Sequence, residues 1–67
     1  MRLYVGYYEF PKINGKIIPK GTKYYLTVDV EDTVDENKLL EKVYEAISSG
    51  TNVTRDRLKV MNWEELK

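Results

Sequence analysis

The sequence predicts an α+β fold: a ββαβ chain whose three-stranded antiparallel sheet, in the order 2-1-3, carries one helix on one face. Three observations predict it. Two runs rich in tyrosine, valine and leucine flank an Asn-Gly dipeptide. An amphipathic stripe at helical spacing follows, and a short apolar run lies near the end of the 67 residues.

The hairpin is expected over 2–30. Its arms, Arg2 to Phe10 and Lys23 to Glu31, are built from the aromatic and β-branched residues that suit a pleated surface. Asn14-Gly15 between them is the dipeptide best able to adopt the positive φ angles of a type I′ turn. If Ile13 then faces Lys16, Val5 meets Tyr24 and Leu3 meets Leu26. On the other face Tyr4 meets Tyr25 and Arg2 meets Thr27, and no bulge is required. Pro11 and Pro19 each remove a backbone donor near the tip. That leaves an arm carrying Lys12, Lys16 and Lys20, residues that also discourage edge aggregation.

The helix is expected over 34–48. Thr33-Val34-Asp35-Glu36 fits a capping box, and Gly50 after Ser48-Ser49 supplies a stop. Leu39, Leu40, Val43, Tyr44 and Ile47 form the apolar stripe. A third strand is expected over 58–63, with Glu64 to Lys67 as a fraying turn. The first strand is placed centrally because it alone is substantially apolar on both faces.

Composition limits the functions. With neither cysteine nor histidine, disulfides, thiolate metal sites and His-based catalysis are excluded. Gly6, Gly15, Gly21 and Gly50 match no phosphate-loop spacing. Asp29, Glu31, Asp32 and Asp35 form the one dense acidic cluster. Acidic residues at a helix N-terminus follow from the helix dipole, and their spacing misses the calcium-loop pattern. The expectation is therefore a non-enzymatic protein with no catalytic residue, cofactor, metal or small-molecule substrate. Without an N-terminal apolar segment or a membrane-length run, it is expected to be cytoplasmic and not membrane-bound.

One helix covers one face of such a sheet. Leu3, Val5 and Tyr7, then Tyr24, Leu26, Val28 and Val30, and finally Leu58 and Val60 are assigned inward, the last two because the other parity would bury Lys59. The outward face then holds Tyr4, Tyr8, Phe10, Tyr25, Met61 and Trp63. If the third strand has the other parity, Met61 and Trp63 leave that face. So many aromatics would exceed the ~300–600 Å² apolar patch usual on a monomer. Either the sheet curls and the tyrosines cover one another as cross-strand pairs, or the face meets a second copy in a homodimer or another protein partner.

The charges are segregated. Residues 1–28 carry Arg2, Lys12, Lys16, Lys20 and Lys23 against Glu9, a net +4. Residues 29–52 carry Asp29, Glu31, Asp32, Asp35, Glu36, Glu41 and Glu45 against Lys38 and Lys42, a net −5. Such polarity suits a molecule that associates head to side, or a nucleic-acid face. In the nucleic-acid alternative Tyr4, Tyr8, Tyr25 and Trp63 stack bases while Arg2, Lys23, Arg57 and Lys59 meet phosphates. The acidic helix opposes it. A further alternative is a small inhibitor of a host enzyme or defence protein, acting through the acidic helix or the sheet edge. In size and layout the chain resembles the short cysteine-free proteins of phages and prophages, many of which block a host protein or dimerise. No run of residues carries that resemblance, so it implies no residue roles.

Overall fold

Arg2–Glu9 forms a strand, β1, that alternates the outward Arg2, Tyr4, Gly6 and Tyr8 with Leu3, Val5 and Tyr7, the last three all buried. The computed structural model describes residues 1–32 and 35–66. β1 is followed by Lys12–Ile13 (β2), Lys16–Ile17 (β3), Thr22–Asp29 (β4), the helix Glu36–Thr51 (α1), a short 3₁₀ turn at Arg55–Arg57 and Leu58–Leu66 (β5). The main sheet is antiparallel in the order β4-β1-β5, so the first long strand is central and α1 lies across one face. This is the predicted α+β architecture and strand order.

The turn forms as its residues dictate, with Asn14 at φ 52° and Gly15 at φ 77°. Next to it Ile13 pairs with Lys16 and Lys12 with Ile17. The register does not continue unbroken, however. Val5 lies opposite Leu26 and not Tyr24, Leu3 opposite Val28, Tyr4 opposite Thr27 and Arg2 opposite Asp29. The slip has a local cause. Ile18 N–H still reaches Pro11 O (2.8 Å), but Glu9 already pairs with Thr22. Phe10 alone therefore spans the stretch that Pro19, Lys20 and Gly21 span opposite. The surplus is two residues, which keeps every side chain on its expected face.

β5 contains the second irregularity. Tyr7 pairs with Val60 but Gly6 pairs with Asn62, so Met61 is an extra residue in a β-bulge. A one-residue insertion inverts the alternation. Leu58 and Val60 face the helix as expected, and beyond the bulge Trp63 sits opposite the buried Val5. Trp63 is half-buried against the core and does not lie on the outward face, a correction to its expected placement. β5 also runs to Leu66, so Glu64, Glu65 and Leu66 of the expected fraying turn are paired with β1, and Lys67 lies outside the described residues.

The helix differs at both ends. Asp35 is its N-cap, accepting from Asn37 N–H at 3.0 Å, while Thr33 and Val34 of the expected capping box lie outside the described residues. Gly50 does not stop it. Ser48, Ser49 and Gly50 are helical, and Asn52 at φ 61° ends the helix by donating its N–H to Ser48 O. Two hydroxyls tie down this end of the helix: Thr51 Oγ1 donates back to Ile47 O (2.7 Å), and Ser48 Oγ donates to Val53 O just beyond the cap (2.6 Å).

The core is Leu3, Val5, Tyr7, Val28, Val43, Ile47 and Leu58, flanked by Leu26, Val30, Leu39, Tyr44, Val60 and Trp63. Burying each large aliphatic group contributes about 1.5–3 kcal/mol. Tyr24, expected among them, is 44% exposed because the core packs nearer the other end of β4, on Val28.

Replacing the fully buried Ile47 by alanine is expected to cost about 2–5 kcal/mol. The lowered urea midpoint would measure it, and an unchanged midpoint would contradict the helix-to-sheet seal. A second expectation concerns alkaline pH. Burial, with smaller contributions from Glu9 and Tyr24, raises the Tyr7 pKa above its ordinary 10.0. The unfolded chain therefore ionises this phenol first. Tyr7 leaves stability unchanged below about pH 10 and lowers it as pH rises from there through the raised folded value. Tyr7→Phe should reduce that alkaline loss in denaturation curves taken at a series of pH values.

Candidate interaction face

Opposite the helix the sheet presents four cross-strand rows, set by the paired registers of β4, β1 and β5. Toward the arm, Tyr8 lies between Lys23 and Lys59. Next, Gly6 lies between Tyr25 and Asn62, then Tyr4 between Thr27 and Glu64, and finally Arg2 between Asp29 and Leu66. The face thus passes from basic to mixed charge along its length.

Its centre is a stacked pair. The two-residue slip turns the expected direct Tyr4–Tyr25 pairing into a diagonal one, and the rings still meet, with centroids 5.4 Å apart and planes 9° from parallel. Gly6 makes room for it. A Cβ at that position would lie 3.2 Å from the Tyr25 ring and 2.8 Å from Asn62 Oδ1. Lys23 Nζ lies 5.3 Å from the Tyr25 centroid. Its hydrogen bond to Tyr25 and the attraction between the two hold the Lys23 pKa above 10.5, against a small desolvation effect. Stacking does not hide the pair: Tyr4 is 43% and Tyr25 54% exposed, and Met61, in the β5 bulge next to Asn62, is 50% exposed.

The other expected face residues are less available. Tyr8 and Phe10 are half-buried and pack on each other at 6.4 Å. Trp63 has left the face. Leu66, which the sequence reading did not include, joins it through the bulge and is 41% exposed. The missed signal was in β5 itself. Continuing the parity of Leu58 and Val60 would turn Asn62 and Glu64 toward the helix, and one inserted residue relieves both.

The four expected phosphate-contacting cations are dispersed. Arg2 Nε is 3.1 Å from Asp29 Oδ1, and Lys23 lies over Tyr25. Arg57 is half-buried at the base of the arm, where Nε donates to Phe10 O (2.9 Å) and Nη2 is 3.6 Å from Glu9. Lys59 is exposed beside Tyr8. Asp29 and Glu64 share the face with them, so no continuous basic track runs along it.

The acidic cluster is likewise distributed among partners. Asp29 meets Arg2, Asp35 caps α1, and Asp32 lies 3.3 Å from the terminal amino group. Glu31 is 2.9 Å from Lys42 Nζ, whose hydrogen bond and charge lower the Glu31 pKa. Among the described residues no three potential ligands converge as a metal site, and no helix is long and apolar enough to cross a membrane. No family model matches the chain, and neither a curated protein nor a solved structure matches it.

The placement of Trp63 has an optical consequence. Its emission should be blue-shifted from that of free tryptophan and move to the red when urea unfolds the chain. Emission at the free-indole wavelength in native protein would contradict its packing on the core.

Proposed function

We propose that this chain is a non-enzymatic, cytoplasmic protein-interaction module that meets a protein partner, in the simplest case a second copy of itself, through the outer face of its sheet. The observation that supports it most is the exposed Tyr4–Tyr25 stack on the side α1 does not cover, with Met61 exposed in the β5 bulge next to Asn62. Tyrosine and methionine are enriched where proteins meet, and rigid aromatics give large contact area for little lost rotamer entropy. The two rings already hold each other in place across Gly6, so little ordering remains to oppose binding. Mixed charge around the aromatic centre suits a protein surface better than a polyanion.

Solution mass over a range of concentrations, by light scattering, tests the face contact. Tyr4→Ala and Met61→Ala should each weaken association about tenfold or more, as expected for anchors near an interface centre. Trp63→Ala should chiefly lower thermal stability. Association insensitive to Tyr4 and Met61 would remove this face from the contact.

A further inference from the structure

The sheet has two outer edges, and the chain treats them differently. On β5, the N–H of Val60 points away from β1 and donates to the Tyr44 hydroxyl at 3.0 Å, with the Arg55 guanidinium 4.8 Å from the centroid of that tyrosine's ring. The Met61 bulge further interrupts this edge. β4 has neither device. It runs through eight residues without a bulge or proline, and among the described residues no strand lies on its other side.

The direction of its free hydrogen-bonding groups follows from one pair. Met1 and Val30 exchange both main-chain bonds, each 2.8 Å. In an antiparallel ladder such pairs alternate with pairs that exchange none. Leu3–Val28, Val5–Leu26 and Tyr7–Tyr24 are therefore bonded pairs, and the N–H and C=O of Lys23, Tyr25, Thr27 and Asp29 point outward from β4. The opposite strand agrees: Val60, paired with Tyr7, directs its N–H away from β1 as the same alternation requires.

We propose that β4 pairs antiparallel with β4 of a second copy about a twofold axis at Leu26, joining two sheets into one of six strands. This contact is separate from the face contact proposed above. The outward main-chain groups and the charges select the same register. With Leu26 on the axis, Lys23 lies opposite the partner's Asp29 and Tyr25 opposite the partner's Thr27. All four bonding residues are used, on the order of eight hydrogen bonds, and two Lys–Asp pairs form symmetrically. A shift of two residues either way loses bonded pairs and sets Lys23 opposite the partner's Thr27, or Asp29 opposite the partner's Tyr25. An odd shift would put helix-side residues against outward ones. On the helix side, the exposed Tyr24 gains the partner's Val28 as a close neighbour. The same register sets the Lys23 end of each β4 beside the Asp29 end of the other. Lys23 then discourages pairing with an arbitrary strand while matching this one.

Amide hydrogen exchange over a concentration series tests the register without any mutation. The N–H groups of Lys23, Tyr25, Thr27 and Asp29 should exchange quickly in dilute protein and gain protection as concentration rises. Those of Tyr24, Leu26 and Val28 should be protected throughout. Thr27→Pro removes only an outward donor and should reduce edge association, with circular dichroism verifying the fold. Lys23→Glu or Asp29→Lys alone should weaken association about tenfold, and the double substitution should restore it to within about threefold. A dimer that loses association with Tyr4→Ala but ignores Thr27→Pro and both charge reversals would overturn edge pairing and retain the face contact. Edge variants that reduce a tetramer to a dimer would support both contacts. A monomer at every concentration, or protection of the four amides that ignores concentration, would overturn the edge proposal.

Discussion

The seal between the inner face of β1 and α1 is the interaction on which the rest of the structure depends. Leu3, Val5 and Tyr7 on the strand and Val43 and Ile47 on the helix are all buried, and four of these five are the largest side chains with almost no exposure. In a chain this short the core contributes only a few kcal/mol of net stability. The seal holds β1 in the centre, and β1 in turn supplies the pairing partner for both β4 and β5. Its outward residues, Tyr4, Gly6 and Tyr8, are consequently held at the centre of the uncovered face.

Two insertions of different size then shape that face. The surplus of two residues near Pro19 moves β4 along β1 but leaves each side chain on its original side, because strand alternation has a period of two. Tyr4 and Tyr25 still meet, now diagonally across Gly6. The single surplus residue at Met61 has the opposite effect. It exchanges the faces of all that follows, carrying Trp63 to the core and Leu66 to the outside. The core gains an aromatic that the exposed face loses.

Electrostatics at the periphery follows the same geometry. Arg57 closes the base of the arm through Phe10 O and Glu9, so a residue with the composition of a surface cation has a structural position. Tyr44 likewise combines roles, with its ring in the helix stripe and its hydroxyl at the edge of β5. Charge and hydrogen-bonding groups on the β4 side remain directed to solvent, where exposed ion pairs such as Arg2–Asp29 contribute little to folding and can be shared with a partner.

The sequence by itself determined the fold class, the strand order, the Asn14-Gly15 turn, the helix stripe and the inward residues of β1. Each rests on local chemistry: positive φ at a turn, a period of two or 3.6, or one strand apolar on both sides. It also located the aromatic face and its Tyr4–Tyr25 contact, because parity survives a slip of two. Only the tertiary structure decided where the registers break, which cap ends α1 and which way Trp63 points. A bulge is chosen by the competition between burying Asn62 and Glu64 and burying Trp63 against Val5, and Val5 becomes a neighbour only once β5 pairs with β1. The same pairing decided which edge of the sheet is closed by Tyr44 and which is left open.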